Sequence, residues 1–290
     1  MRNNEKRLGL DPQDAQPEEV PQTPPPPIPG GMSYVTPTEF VELPSKGLFY
    51  PENHPLCGKD VVEIKFMTAK EEDILTSSAL LRRGIAIDRL IDSLLLNKRI
   101  TSDSLLSGDR NAIIVAARKS AFGQAYETRV TCPSCGSNET FIFDLEEGKM
   151  SPGGASEDVL NEKNVQFDAS TKLFYFELPK TKVRVGLRLL NGEDENRSFM
   201  KNRKKSKDAP ETNATDQLRA VIVSVNGDDN NFFINSFISA LPISDSKYLK
   251  EVYSKLVPNI DLTQTYACEV CGHVEDMEVP FNTEFFWPDG

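Results

Sequence analysis

The feature that most constrains this chain is a cysteine turn that occurs twice, far apart in the sequence. Cys132 and Cys135 lie in TCPSCG, and Cys268 and Cys271 lie in ACEVCG, 136 residues later. Alternating stretches flank each pair, so each predicts a β-hairpin. One such turn presents only two thiolates, whereas a structural zinc site needs four ligands. The sequence therefore predicts one structural zinc per chain, held by these four cysteines in a zinc ribbon made of two hairpins.

Other interpretations of the cysteines stay open at this point. A redox-active C-x-x-C pair would need a helix N-terminus beside its thiols. The two turns could also form separate sites that partner chains complete. His273, two residues after Cys271, could compete as a ligand, although a solvated turn residue is the simpler interpretation. The fifth cysteine, Cys57, is predicted to be a buried or half-buried thiol.

The order of predicted elements is similar in the two halves of the chain. Asp109 and Asp245 each stand before an apolar helical pattern, where aspartate is a common N-cap, and each lies 23 residues before the first cysteine of its pair. This predicts an internal duplication. We expect an α+β fold of two related lobes, built from helices and β-hairpins and joined by the shared zinc ribbon. Two unrelated hairpins that share a metal motif are the alternative.

Composition suggests where the lobes begin and end. Residues 1–32 hold eight of the twenty prolines, which predicts a disordered arm that serves either as a docking segment or as a solvated tail. We predict a first lobe over 33–150 with the first cysteine hairpin and a linker over 151–163. A second lobe, over 164–290, carries the second hairpin and an aromatic C-terminal tail.

Local patterns predict several helices. Thr68 followed by Glu71 has the spacing of a capping box at a helix start. Apolar residues recur on one helical face over 87–95. The apolar runs 216–227 and 230–241 are predicted as further helices.

Charge and motif content argue against several functions. The formal net charge is −11 and the pI is about 4.9, which disfavours general nucleic-acid binding and anionic membranes. No apolar run approaches the ~20 residues of a membrane-spanning helix, so we expect a soluble protein. There is no phosphate-binding glycine loop, and His54 and His273 are the only histidines. We therefore predict that the protein is not an enzyme.

The end of the chain carries an unusual aromatic load. Phe285, Phe286 and Trp287 follow one another, and Trp287 is the only tryptophan. These rings either fold back on the ribbon or anchor a partner, because aromatic residues are typical of interface hot spots.

Several of these segments together resemble a known family. They are LPSKGLFYP at 43–51, then VEIKFMTAKEEDIL, the CPxCG turn, the second CxxCG turn and the terminal FFWP. With them, the chain from Tyr34 to Gly290 resembles the baseplate hub subunit family of T-even-type contractile-tailed bacteriophages. The resemblance implies a virion structural protein needed for assembly of the tail baseplate hub, without catalytic residues. It would bind other baseplate and tail hub proteins in an oligomeric assembly made in the host cytoplasm. A zinc-ribbon adaptor that binds nucleic acid is the alternative.

Overall fold

The computed structural model describes residues 36–204, 213–279 and 285–286. The predicted arm over 1–32 lies outside these residues. The described chain combines helices with small antiparallel sheets, which confirms the predicted α+β class. None of its helices has the length and apolarity needed to cross a membrane.

The first half begins with a two-stranded sheet, continues with helices and ends in a long hairpin. Its elements are β1 (Thr38–Glu42), β2 (Val61–Lys65), α1 (Ala69–Thr76), α2 (Ser78–Arg83), α3 (Ala86–Leu94), α4 (Ser107–Phe122), β3 (Ala125–Thr131) and β4 (Asn138–Asp144). β1 pairs with β2, and β3 pairs with β4, both antiparallel.

The second half contains a larger sheet and also ends in a hairpin. Its elements are β5 (Lys149–Ser151), α5 (Glu157–Glu162), β6 (Gln166–Asp168), β7 (Leu173–Glu177), β8 (Arg184–Leu187), α6 (Gly192–Lys204), α7 (Asn213–Val221), β9 (Ile222–Val225), α8 (Asn231–Ala240), α9 (Ile243–Leu256), β10 (Asn259–Asp261), β11 (Gln264–Ala267) and β12 (Val274–Met277). The strands β6, β7, β8 and β9 form one antiparallel sheet in that order, and β11 pairs with β12. β10 returns to pair with β5.

One predicted helix is partly wrong. The run 216–227 was expected to be helical throughout, but α7 ends at Val221 and the chain continues as β9. The β-branched run that starts at Val221 favours an extended backbone. Ile222 pairs with Leu187 of β8, and both side chains are buried. The predicted helices over 87–95 and 230–241 are confirmed as α3 and α8.

The two predicted aspartate caps are also wrong in detail. α4 has Leu106 as its N-cap residue, and α9 has Pro242. Asp109 and Asp245 are therefore the third residues of their helices, and both are fully buried. A carboxylate at this position can turn away from its own helix end and accept hydrogen bonds from another segment.

Both aspartates hold the loop that follows a Leu-Pro pair in the preceding hairpin. Asp109 accepts hydrogen bonds from the backbone N–H and hydroxyl of Ser45, at 3.0 and 2.6 Å, and from the hydroxyl of Tyr50 at 2.7 Å. Asp245 accepts from the N–H of Lys180 and from the N–H and hydroxyl of Thr181, at 2.8–2.9 Å. The same joint between loop and helix thus occurs once in each half.

A second joint also occurs twice, at the start of α1 and of α6. The predicted capping box of Thr68 and Glu71 is confirmed, and Lys65 at the end of β2 pairs with Glu71 at 2.6 Å. In the second half Asn191 and Asp194 exchange hydrogen bonds at 3.1 and 3.2 Å, and Arg188 binds Asp194 through two bonds of 2.7 Å. In both cases a cation six residues upstream neutralises the acid of the cap.

Most buried apolar side chains form one large cluster drawn from both halves, including Leu43, Ile64, Phe174 and Leu249, and a second small cluster surrounds the cysteine turns. Backbone hydrogen bonds also join the halves, since the Gly192 N–H donates to the Leu105 carbonyl at 2.9 Å. The backbones of the two halves lie close together here, because a Cβ on Gly192 would lie 2.3 Å from the Ser102 carbonyl oxygen. The predicted domain boundaries at 150 and 164 stay a prediction.

Candidate metal centre

The two cysteine turns have the same backbone structure. The Cys132 N–H donates to the Ser137 carbonyl at 2.8 Å, and the Gly136 N–H donates to the Cys132 carbonyl at 2.9 Å. In the second turn the Cys268 N–H donates to the His273 carbonyl at 2.8 Å, and the Gly272 N–H donates to the Cys268 carbonyl at 2.9 Å. Each turn therefore closes the end of its hairpin and directs two thiols to one side.

The glycine of each turn is required by its backbone conformation. Gly136 and Gly272 have φ angles of 72° and 71°, in the left-handed region that costs other residues free energy. No atom lies within 4 Å of a Cβ built on either glycine, so space is not the constraint.

The folded chain brings the four predicted thiols together. All four Sγ atoms lie within 4.8 Å of one another. The distance between the sulfurs is 3.8 Å for Cys132 and Cys271, and 3.7 Å for Cys135 and Cys268. Four sulfurs bound tetrahedrally to one zinc at about 2.3 Å would lie about 3.8 Å apart. A disulfide needs about 2.05 Å, so the spacing fits a shared metal ion and not an oxidised pair.

Burial differs between the two cysteines of each turn. The first cysteine of each pair is buried, with Cys132 1% and Cys268 3% exposed, whereas Cys135 and Cys271 are exposed. Tyr266, Phe141 and other apolar side chains pack against the buried pair, and the rings of Phe141 and Tyr266 meet edge to face at 5.5 Å. The cluster thus has an apolar floor and an open side through which an ion can enter.

The sequence analysis missed one residue of this centre, Glu139 on β4. Its carboxylate accepts hydrogen bonds from the Tyr266 hydroxyl at 2.8 Å, the Glu269 N–H at 3.2 Å and the Ser137 hydroxyl at 3.1 Å. The Cys268 thiol also donates to this carboxylate at 3.1 Å, so one side chain of the first hairpin contacts three residues of the second, namely Tyr266, Cys268 and Glu269. A signal was available, because a glutamate stands four residues after the second cysteine in both turns, as Glu139 and Glu275.

The surroundings shift the pKa values of the two exposed thiols, Cys135 and Cys271, in opposite directions. Hydrogen bonds from the Ser137 hydroxyl and N–H lower the pKa of Cys135 to about 6. For Cys271 the His273 N–H lowers the pKa, but desolvation and the neighbouring thiols outweigh it and raise the pKa to about 12. Four thiols this close cannot all ionise without help, since each thiolate repels the others. A divalent cation removes that repulsion, which is why thiolate sites bind metal with loss of protons.

The other candidate residues lie outside the four-sulfur cluster. His273 is not among the clustered ligands, and its Nε2 lies 3.3 Å from a carboxylate oxygen of Glu275. Cys57 is half-buried and packs against the main core. His54 stacks on Tyr50 at 4.3 Å, and burial lowers the pKa of its imidazole. These contacts give His54 a packing role in the first half.

The aromatic pair at the end of the chain packs inside the fold. Phe285 and Phe286 are each 1% exposed, and Phe285 meets Tyr126 of β3 at 5.0 Å. The Arg118 Nε donates to the Phe285 carbonyl at 2.9 Å. Of the two alternatives from the sequence, these contacts fit rings that fold back on the chain. Partner binding by this segment stays a prediction, and Trp287 lies outside the described residues.

Comparison with known proteins gives one match. A family model described as "T4 bacteriophage base plate protein" matches residues 38–287, which include both cysteine turns. No curated protein and no solved structure matches the chain. The family match agrees with the resemblance found in the sequence and extends across both halves.

Proposed function

The chain belongs to the T4 bacteriophage base plate protein family, and from this premise we propose that it is a structural subunit of the baseplate hub of a contractile tail. Its two related lobes would be joined by one zinc ion in a two-hairpin ribbon. The subunit would be assembled in the host cytoplasm and would work by binding other tail proteins, not by catalysis.

The observation that carries the zinc proposal is the convergence of Cys132, Cys135, Cys268 and Cys271. Their sulfur spacings of 3.7 and 3.8 Å match those expected around a tetrahedral zinc. An all-thiolate set favours a structural zinc over a catalytic one, which would leave a position open for water. Cysteine sulfur also disfavours magnesium and calcium, which prefer oxygen ligands.

The zinc would act as a cross-link, or staple, between two hairpins that lie far apart in the sequence. Two ligands lie at the end of β3 and two at the end of β11, so one ion would close a loop of more than a hundred residues. Structural zinc contributes about 10–16 kcal/mol of apparent binding free energy, which is comparable to the whole stability of a typical domain. A subunit held in this way presents rigid surfaces to its neighbours.

Repetition of the joints supports the proposal of two related lobes. Each half has a Leu-Pro loop held by a helical aspartate, a cation-neutralised helix cap and a C-x-x-C-G hairpin. The zinc site would then be symmetric in origin, with equal contributions from each lobe. In this proposal Trp287 and its neighbours, with the arm over 1–32, remain candidates for contact with other tail proteins.

Quantitative mass spectrometry of purified tailed particles tests the proposed role. The peptides of this chain, scaled to a known tail protein, should be present at a few copies per particle. Absence from particles combined with abundance in infected cells would contradict a structural role. Steep salt-dependent binding to nucleic acid would then favour the adaptor alternative.

A further inference from the structure

A cationic groove opens between α1, α2 and α3 in the first half. Its volume is about 630 Å³, and four of its lining residues are the cations Lys65, Lys70, Arg89 and Lys98. Asp92 is the one acidic residue that lines it. This concentration of positive charge stands out on a chain whose net charge is −11.

The four cations differ in the ion pairs and hydrogen bonds that they form. Lys65 pairs with Glu71, and the Lys98 ammonium donates to the Leu95 carbonyl at 2.6 Å near the end of α3. No described side chain pairs with Lys70 or Arg89. These two cations are therefore available to an acidic partner.

The groove is also apolar, because the remaining wall includes Ile74, Leu80, Leu95 and Leu96. Leu96 is 43% exposed. Apolar residues between cations fit a protein segment that carries both acidic and aliphatic side chains, since each type can then be satisfied at the interface. Nucleic acid would use the cations but would leave the aliphatic wall uncovered.

A surface with the matching chemistry lies at the other end of the sequence, on the β11–β12 hairpin. Val270 and Val274 are 71% and 60% exposed. Four exposed acids lie near them in the sequence, namely Glu269, Glu275, Asp276 and Glu278. The hairpin thus offers two aliphatic side chains framed by negative charge, in contrast to the positive frame of the groove.

We propose that the β11–β12 hairpin of a second copy of this chain docks in the groove between α1, α2 and α3. The exposed valines meet the aliphatic wall, and the hairpin acids meet Lys70 and Arg89. Because the two surfaces differ, the contact is head-to-tail and generates a ring if the rotation between copies closes. This inference rests on the proposed role as an oligomeric assembly subunit and specifies one interface of it.

Two charge-reversed variants test the interface. The groove variant carries Lys70→Glu and Arg89→Glu, and the hairpin variant carries Asp276→Lys and Glu278→Lys. In each variant the substituted side chains have the same sign as the side chains they are proposed to meet, so like charges face each other at those positions. When the variants are mixed, each groove again meets a hairpin of opposite sign, and two complementary contacts form.

The measurement is analytical ultracentrifugation of the full chain over a range of concentrations at low salt. The parent should associate, each variant alone should associate at least about tenfold more weakly, and the mixture should recover association to within about threefold of the parent. Raising the salt to 0.5 M should weaken the parent association, because exposed charges are then screened. The matched control, Lys247→Glu with Lys250→Glu, has the same charge change on the exposed side of α9 and should associate nearly as well as the parent.

Three outcomes would overturn the interface: a parent that stays monomeric, variants that associate like the parent, or a mixture that fails to recover. Zinc content, measured on the same samples, separates this failure from failure of the proposed function. A monomeric parent that holds zinc and is found in tailed particles would reject only the docking. Loss of zinc and absence from particles would reject the proposed function itself.

Discussion

The two halves hold their Leu-Pro loops in the same way but with different donors. Asp109 receives two of its three hydrogen bonds from hydroxyls, whereas Asp245 receives two of its three from backbone N–H groups. Burial raises the pKa of Asp109, and its hydrogen bonds do not offset this fully. For Asp245 desolvation is also the largest influence, but the bonds from Thr181 and Lys180 outweigh it and lower the pKa.

This difference shows how a repeated joint can keep its geometry while its electrostatics diverge. Burial raises the pKa of Asp109 and so favours its neutral form, which indicates a site that tolerates a neutral side chain. A backbone N–H can only donate, so Asp245 lies in a site that requires an acceptor on both oxygens. The comparison of the halves therefore yields predictions about which side chains are equivalent and which are not.

The largest effect is expected at the four clustered cysteines, which occupy equivalent positions in the two halves and are the proposed zinc ligands. Cys132→Ser and Cys268→Ser should each remove the bound zinc and either unfold the protein or lower its melting temperature by more than about 15 °C, because a shared site fails when either half is damaged. Zinc content and thermal unfolding measure this. Cys57→Ser, outside the cluster, is the control and should keep one zinc per chain. Parent-like melting of both ligand variants would contradict the staple.

The aspartates should show the next largest effect, and here the halves should differ. Asp245→Asn leaves a buried backbone N–H facing an amide donor, which should lower the free energy of unfolding by about 2–3 kcal/mol. Asp109→Asn replaces a carboxylate whose charge is already disfavoured by burial, so its cost should be only about 1 kcal/mol. Urea unfolding at pH 7 compares them. Equal losses of unfolding free energy in the two variants would contradict the proposed difference between the two aspartate sites.

A smaller effect separates the two glutamates of the hairpins. Glu139 contacts Tyr266, Cys268 and Glu269 of the second hairpin, whereas Glu275 contacts only its neighbour His273 among the described side chains. Glu139→Gln should lower the melting temperature by a few degrees, and Glu275→Gln should leave it nearly unchanged. Differential scanning calorimetry on zinc-loaded samples gives the comparison. A larger loss at Glu275 would reverse the assigned roles.

The smallest expected effect is the direction in which the stability difference between the parent and each aspartate variant changes with pH. Because the pKa of Asp245 is lowered by folding, its ionisation stabilises the protein above its unfolded pKa of about 3.9, and this gain is lost as pH falls through the folded value. The stability advantage of the parent over Asp245→Asn should therefore shrink with acid. For Asp109 the folded pKa is raised, so the advantage over Asp109→Asn should grow with acid. Urea unfolding from pH 6.5 down to about pH 3, below the unfolded pKa of an aspartate, would measure both slopes, and slopes of the same sign would be the contrary result.

Much of the metal site could be predicted from the sequence, because the C-x-x-C-G spacing specifies a turn and its two sulfurs. That both turns meet was an inference from ligand number, and the four-sulfur cluster agrees with it. Glu139 was missed, although a glutamate stands four residues after the second cysteine in both turns, because this spacing does not indicate which residues the side chain will meet. The same limit applied to Asp109, whose partners lie 59 and 64 residues away.

The fold class followed from periodicity, but some element bounds did not. The sequence predicts helix where β9 forms, because a short apolar run fits both a helix and a strand. The pairing of Ile222 with Leu187 selects the strand. The aspartate caps were misplaced because an aspartate near a helix start fits the N-cap and the first turn equally well. In both cases a contact distant in sequence selected one of two structures that the local sequence allows.

The most direct test of the central claim is X-ray absorption at the zinc edge on purified protein. A single staple between the halves predicts about one zinc per chain with four sulfur neighbours at about 2.3 Å. The same spectrum on Cys268→Ser should lose that four-sulfur shell. A parent protein without zinc, or with a shell in which nitrogen or oxygen replaces sulfur, would contradict the shared four-cysteine site.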